Sequence, residues 1–141
     1  MQRLESVIDL LRKEGFRITP QRVAIVDHIM HTDSHPSAEA LHAAIRKKHP
    51  MVSLATVYKT LELLKKRGIV RELDFPTGAR YDSNVEEHVN LVCLRCGRID
   101  DVDEASLGEL ESKVARNARY SILGGRFELY GYCSQCQGKA K

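Results

Sequence analysis

The cysteine pattern constrains the fold of this 141-residue chain more than any other feature. The four cysteines form two C-x2-C pairs, Cys93 with Cys96 and Cys133 with Cys136, and 36 residues separate the pairs. A C-x2-C turn presents two thiolates to one ion, and two such turns complete a tetrahedral set of four sulfur ligands, which Zn²⁺ favours. The rear of the chain is therefore predicted to bring two distant turns together around a structural zinc ion.

Two other uses of these cysteines stay open at this point. Disulfides form in oxidising compartments, whereas the chain has no run of about 18 apolar residues and no signal peptide, so a cytoplasmic location is expected. A thiol redox pair requires a C-x2-C that opens a helix in a βαβ setting. A thiol redox protein or a zinc-binding adaptor is therefore the competing functional class.

The front of the chain has the pattern of a winged helix-turn-helix. Four apolar stripes at helical spacing predict four short helices. The second is predicted to be capped by Thr19, the third to begin near Ser37 and the fourth to follow Ser53. The runs IVRELDF and ARYDS flank Pro76-Thr77-Gly78, and alternating residues around such a turn predict a β-hairpin.

The rear of the chain is predicted to form a small α+β unit. HVNLVC, RIDDV and RFELYGYC alternate between polar and apolar residues, which predicts three strands, and a helix is predicted over 105–117. The boundary falls near Ser83-Asn84, which gives domains 1–83 and 84–141 of an α+β protein. Lys and Arg outnumber Asp and Glu by 14 to 10 through Asp82 and stand at 8 against 9 beyond it. This uneven charge indicates different tasks for the two domains.

A second group of ligand-type residues lies outside the cysteine pairs. It consists of His35, Asp82, His88, Asn90 and Asp101. On a strand, His88 faces away from the nearest cysteine, five residues further on, and shares a face with Asn90. Two imidazoles, two carboxylates and an amide are hard and borderline ligands, which suit Fe²⁺ or Mn²⁺. Surface histidines more often have no ligand role, so the residues alone leave this second site open.

Several motifs occur in a characteristic order over residues 15–136: RITPQR, HPSAEAL, SLATVYKTLELLKKRGIV, HVNLVCLRCG and LYGYCSQC. In this respect the chain resembles the ferric uptake regulator family. The resemblance implies a homodimeric transcription regulator rather than an enzyme. Its winged-helix domain would bind palindromic, A·T-rich double-stranded DNA. Its rear domain would dimerise and hold structural zinc, and a regulatory Fe²⁺ or Mn²⁺ would lie between the domains.

The resemblance also gives roles to single residues. His35, Asp82, His88 and Asp101 match ligands of the regulatory metal, and Asn90 stands where the family has the second histidine of an H-x-H motif. With aspartate at position 101, the chain is similar to the peroxide-responsive branch of the family. In that branch, bound Fe²⁺ reacts with H₂O₂ and a ligand histidine is oxidised. The expected function is therefore a peroxide-sensing repressor. An iron- or manganese-responsive regulator without peroxide sensing is the alternative.

The DNA contacts are predicted on the helix-turn-helix and the wing. The N-terminal half of a helix in the major groove reaches base edges, while hydroxyl groups and cations fix phosphates. Tyr58 and Lys59 are the best candidates for base contacts, and Arg80 in the wing either enters a minor groove or supports the hairpin. The predicted contacts are Arg17, Arg22, Ser53, Thr56, Tyr58, Lys59, Thr60 and Arg80.

Overall fold

The computed structural model describes residues 4–75, 77–86 and 88–138, and the chain divides into two compact units, Met1–Val85 and Glu86–Lys141. The first unit contains α1 (Leu4–Lys13), α2 (Pro20–His31), α3 (Ala38–Arg46), α4 (Leu54–Lys66), β1 (Arg71–Phe75) and β2 (Gly78–Asp82). The second contains β3 (Val89–Cys93), β4 (Ile99–Val102), α5 (Leu107–Ala118) and β5 (Phe127–Gly131). The predicted α+β class, with four helices and a hairpin before a mixed unit, is confirmed.

Side-chain caps set the starts of three helices in the first unit. Thr19, Ser37 and Ser53 each accept a hydrogen bond from the backbone N–H three residues on, at 3.1–3.2 Å. Each cap satisfies one backbone donor that has no partner within the helix. The predicted cap at Thr19 is confirmed, as are the predicted helix starts near Ser37 and after Ser53, where the serine hydroxyls also act as caps.

The first unit is built around one aliphatic core. Each helix contributes the residues that the 3.6-residue periodicity placed on its apolar face. The fully buried side chains in this core include Val7, Leu11, Ile25, Val26, Ile29, Leu41, Val57, Leu61 and Leu64. This packing fixes the angle between α3 and α4, and so it fixes the surface that α4 presents.

The hairpin of the first unit is antiparallel, with Arg71 opposite Asp82 and Phe75 opposite Gly78. Gly78 has a φ of +122°, a backbone conformation that side chains disfavour. Pro76, which the sequence places in the turn, lies outside the described residues. Tyr81 is buried, and its hydroxyl donates to Glu72 Oε1 at 3.2 Å. Burial and this neighbouring carboxylate raise the pKa of Tyr81.

The second unit is a three-stranded sheet in the order β4-β3-β5. β3 pairs antiparallel with β4 and parallel with β5, and a parallel pair needs a long crossover, which contains α5. The helix begins at Leu107, two residues later than predicted, because Glu104 accepts from the backbone N–H and hydroxyl of Ser106 in a turn. None of the five described helices has the length and hydropathy that a bilayer crossing requires.

Candidate metal centres and nucleic-acid interface

The four cysteines converge at one end of the sheet in the second unit. Their sulfur atoms all lie within 4.8 Å of one another, and Cys96 Sγ is 3.9 Å from Cys133 Sγ. Four sulfurs at tetrahedral corners, each about 2.3 Å from a zinc ion, would be about 3.8 Å apart. The cluster therefore has the size and the donor set of a closed ZnS₄ site.

Both C-x2-C segments are tight turns closed by backbone hydrogen bonds. Cys93 ends β3, and its carbonyl accepts from Gly97 N at 3.0 Å, while Cys133 O accepts from Cys136 N at 2.9 Å. The Cys133 N–H donates to Cys93 Sγ at 3.4 Å. Neither pair opens a helix within residues 88–138, so the setting that a thioredoxin-like redox pair requires is absent from this part of the chain.

The fold shifts the pKa values of two of the thiols in opposite directions. The backbone N–H of Cys133, followed by that of Cys96, lowers the pKa of Cys93 to about 6, because these donors stabilise a thiolate. Burial raises the pKa of Cys136 to about 12. All four cysteines are free thiols rather than disulfides. Four converging thiols, one of them with a lowered pKa, fit a zinc ion, whose charge would offset the cost of ionising the thiols.

The first unit carries a buried histidine–aspartate pair. His35 lies in the loop before α3 and Asp82 ends β2, and they are 2% and 6% exposed. His35 Nε2 is 3.4 Å from Asp82 Oδ2, while Asp82 Oδ1 accepts from the backbone N–H of Asn84 at 2.9 Å. His35 has a φ of +51°, in the left-handed region that few residues other than glycine adopt. The fold thus holds this imidazole against a carboxylate by an unusual backbone conformation.

The second unit carries a corresponding pair. His88 directly precedes β3 and is buried, and its Nε2 is 3.4 Å from Asp101 Oδ1 on β4. His88 Nδ1 is 2.6 Å from Glu86 O; a carbonyl only accepts, so Nδ1 carries a proton and donates. In the neutral ring, Nε2 then presents its lone pair toward a carboxylate. A cation close to both atoms would remove the repulsion, so this pair fits a divalent ion.

Asn90 lies beside this second pair. The strand register places it opposite Asp101, so the two side chains share a face of the sheet. Asn90 is 2% exposed, and its Oδ1 has no hydrogen-bond partner among the described residues. A buried amide oxygen without a partner costs about 1–3 kcal/mol. A metal ion bound by Asn90 Oδ1 would supply the missing partner.

An open cavity of about 310 Å³ lies between the N-termini of α2 and α4. Both helices present their unsatisfied backbone N–H groups and the positive ends of their dipoles toward it, and such ends bind anions. Its lining is Arg17, Thr19, Gln21, Arg22, Met51, Val52, Ser53 and Thr56. Four of the predicted DNA contacts, two cationic and two with hydroxyl groups, therefore line one cavity.

Two of the residues predicted to contact DNA, Arg22 and Thr60, make hydrogen bonds within the first unit. The Arg22 guanidinium donates through Nη1 to Arg17 O at 2.7 Å and through Nε to Thr60 Oγ1 at 3.3 Å, and it lies 5.4 Å from the centre of the Phe16 ring. Thr60 is 1% exposed, and its hydroxyl donates to Thr56 O at 2.8 Å. This burial contradicts the prediction that Thr60 contacts DNA; it joins α4 to α2 instead.

The exposed face of α4 holds Tyr58 and Lys59. The Tyr58 hydroxyl donates to Glu39 Oε1 on α3 at 2.7 Å, and this hydrogen bond lowers the pKa of Glu39 and raises the pKa of Tyr58. Sequence reasoning missed Glu39, because it lies 19 residues from Tyr58 and only the packing of α3 on α4 brings them together. Arg80, also predicted to contact DNA, donates to backbone carbonyls of the loop that carries His35.

Comparison with known proteins identifies the kind of regulator this is. The model of the ferric uptake regulator family matches residues 13–130. The chain belongs to the ferric uptake regulator family. The peroxide-responsive repressor PerR of Staphylococcus epidermidis is 38% identical to this regulator over 135 residues, which cover 95% of this chain and 90% of that protein.

Solved structures of ferric uptake regulators share the fold. The Campylobacter jejuni peroxide stress regulator is 29% identical, with a TM-score of 0.74, and the match covers 96% of this chain and 100% of that one. The Helicobacter pylori ferric uptake regulator Fur has a TM-score of 0.86 at 24% identity, covering 99% and 97% of the two chains. The resemblance that the sequence motifs indicate is confirmed. A family of transcription regulators also argues against a catalytic use of the C-x2-C pairs.

Proposed function

We propose that this protein is a metal-dependent DNA-binding repressor that senses peroxide. The observation that supports this most directly is the presence of two histidine–aspartate pairs, His35 with Asp82 and His88 with Asp101, separate from the cysteine cluster and with both histidines buried. A protein that only needed structural zinc has no use for two further pairs of ligands with buried imidazoles. Family membership and the 38% identity to a peroxide-responsive repressor support the same function.

The cysteine cluster holds one structural zinc ion per chain in this proposal. With four sulfur ligands the site is closed, so the ion stabilises the fold and takes no substrate. It would tie the end of β3 to the segment after β5 and so fix their parallel pairing. The domain formed by residues 84–141 could then act as a stable dimerisation unit.

The second ion is regulatory and is Fe²⁺ or Mn²⁺. Its proposed ligands are His35, Asp82, His88, Asn90 and Asp101, the residues that match the family's regulatory-metal positions. Imidazole and carboxylate ligands suit these metals, whereas an amide oxygen in place of an imidazole weakens Zn²⁺ and Cu²⁺ most. The unpartnered oxygen of Asn90 supports its inclusion in the set.

When bound, Fe²⁺ supplies the reaction with H₂O₂ that oxidises a ligand histidine. The residues of this chain determine where that oxidation occurs. His35 and His88 are both 2% exposed, so both imidazoles would hold such an ion in a site shielded from solvent and would be the rings closest to its chemistry. An oxidised ring no longer ligates well, and loss of a ligand would release the metal and then the DNA.

DNA binding is proposed for residues 1–83, with the cavity between α2 and α4 as a phosphate site. Arg17, Ser53 and Thr56 would contact the backbone there, and Tyr58 and Lys59 would contact bases of a palindromic, A·T-rich operator. A palindrome requires a two-fold dimer. The second unit exposes apolar side chains that a dimer could bury: Val102, Leu110, Val114, Tyr120, Leu123, Leu129 and Tyr130.

Mass spectrometry of the peptides containing His35 and His88 tests the proposal. The Fe²⁺ form is treated with H₂O₂, and the Mn²⁺ form, with the same ligands and no such redox chemistry, is the matched control. We expect a single added oxygen on one of these histidines in the Fe²⁺ form only, together with loss of operator binding. Operator binding that needs Fe²⁺ or Mn²⁺ but survives peroxide would instead establish an iron- or manganese-responsive regulator without peroxide sensing.

A further inference from the structure

Arg80 on β2 is turned toward the chain rather than toward solvent. Its Nε donates to the backbone carbonyl of His35, and its Nη2 donates to the carbonyl of Ser34 at 3.3 Å. A guanidinium has five donors in a rigid plane and cannot lose its charge, so it is suited to hold two adjacent carbonyls in a fixed relation.

The loop that Arg80 contacts has a strained backbone conformation at His35. His35 has a φ of +51°, which is unusual for a residue with a side chain and is strained. A β-region backbone at His35 would be less strained, but it would turn the imidazole away from Asp82. The surrounding contacts must therefore favour the left-handed form.

Three successive residues of β2 bind this loop. Tyr81 donates its backbone N–H to Pro36 O at 2.9 Å, between the side-chain contacts of Arg80 and Asp82. Alternate residues of a strand share a face, so Arg80 and Asp82 point to the same side. The wing of the DNA-binding unit is thus joined directly to the segment that carries His35 and leads into α3.

We propose that Arg80 is the positioning residue for the His35–Asp82 half of the regulatory metal site. It holds the His35 backbone in the left-handed form so that Nε2 stays beside Asp82. The inference rests on the proposed function, because it assumes that this pair ligates the regulatory ion. It assigns Arg80 a task within the protein, whereas the sequence left minor-groove contact and support of the hairpin equally open.

Electrostatics and positioning predict opposite effects of removing Arg80. A fixed positive charge near the site repels a divalent cation, so its removal alone would tighten metal binding. Loss of a group that positions a metal ligand typically weakens binding by about tenfold to a hundredfold. The sign of the change in metal affinity therefore separates the two effects.

The test uses the full-length zinc-loaded dimer without DNA. Mn²⁺ affinity is measured by titration for the wild type, Arg80→Gln and Arg80→Lys. The lysine variant keeps the charge but not the fork of donors. Arg71→Gln is the matched control, because Arg71 lies in the same hairpin and donates to a single carbonyl, Val85 O, at 3.0 Å. Hydrogen exchange of residues 34–37 is measured in each protein without Mn²⁺, and zinc content and thermal melting report on the fold.

We expect about tenfold weaker Mn²⁺ binding in both Arg80 variants, with faster exchange of the 34–37 loop and unchanged zinc content. Arg71→Gln should bind Mn²⁺ as the wild type does. Unchanged or tighter Mn²⁺ binding in Arg80→Gln would overturn the inference, even if DNA affinity fell. If the wild type bound no second ion, the proposed function would fail. The positioning role of Arg80 would still be tested by hydrogen exchange, and unchanged exchange of the 34–37 loop in the Arg80 variants would refute it.

Discussion

The exposed guanidinium of Arg17 at the cavity between α2 and α4 gives the sharpest test of the DNA-binding surface. Arg17→Gln removes this charge but leaves the Arg17 carbonyl, which accepts from Arg22, in place. If each protomer of a dimer loses one phosphate contact, the slope of log K against log salt becomes shallower by about 1.8, since each contact contributes about 0.9. Over a fourfold rise in salt, the ratio of the wild-type binding constant to that of the variant should therefore fall by about twelvefold.

Fluorescence anisotropy with an operator duplex measures this slope between about 50 and 200 mM salt. Arg116→Gln removes the same charge from the exposed surface of α5 and should leave the slope unchanged. A loss of affinity in Arg17→Gln that is constant over the salt range would refute a phosphate contact at this cavity. Such a result would indicate that the substitution distorts the start of α2 instead.

Four further predictions concern the metal sites, the core and the dimer. Asn90→His should tighten Zn²⁺ and Mn²⁺ binding at the regulatory site in titrations, and unchanged affinity would show that position 90 is not a ligand. Cys96→Ser should reduce zinc to well below one ion per chain by metal analysis and lower the melting temperature; full zinc content would argue against a four-sulfur site. Leu61→Ala, at a fully buried position, should cost about 2–5 kcal/mol in denaturant unfolding, and a loss below about 1 kcal/mol would contradict the close packing of α4. Val114→Glu should shift the protein toward monomers in analytical ultracentrifugation, whereas an unchanged dimer would place the interface elsewhere.

The caps of α2, α3 and α4 could be predicted because each depends on residues three apart. The hydroxyl of Thr19, Ser37 or Ser53 accepts from a backbone N–H in the first turn of its own helix, so the contact does not depend on the rest of the fold. The cysteine cluster could be predicted for a different reason. Two C-x2-C pairs have few chemical uses, so convergence of Cys93 and Cys136 follows from chemistry although 43 positions separate them.

The polar contacts made by the predicted DNA-binding residues could not be predicted from the sequence. Thr60 stands on the same helix as Tyr58, and its burial depends on the approach of Arg22 from a helix 38 residues earlier. Arg80 reaches its acceptors across 45 and 46 residues. Helical periodicity indicates which face is apolar, but it does not show which polar side chains the neighbouring helix covers.

The hydrogen bond between Tyr58 and Glu39 has a consequence for how such a regulator searches a genome. Glu39 is a carboxylate on the exposed surface next to α4, for which base contacts are proposed, and there it would repel the phosphates of any sequence alike. Non-specific binding is almost entirely electrostatic, whereas an operator adds base contacts that are indifferent to one extra charge. The acid therefore shortens the time that each protein spends on irrelevant DNA, while the ratio of specific to non-specific affinity, which the base contacts set, stays unchanged.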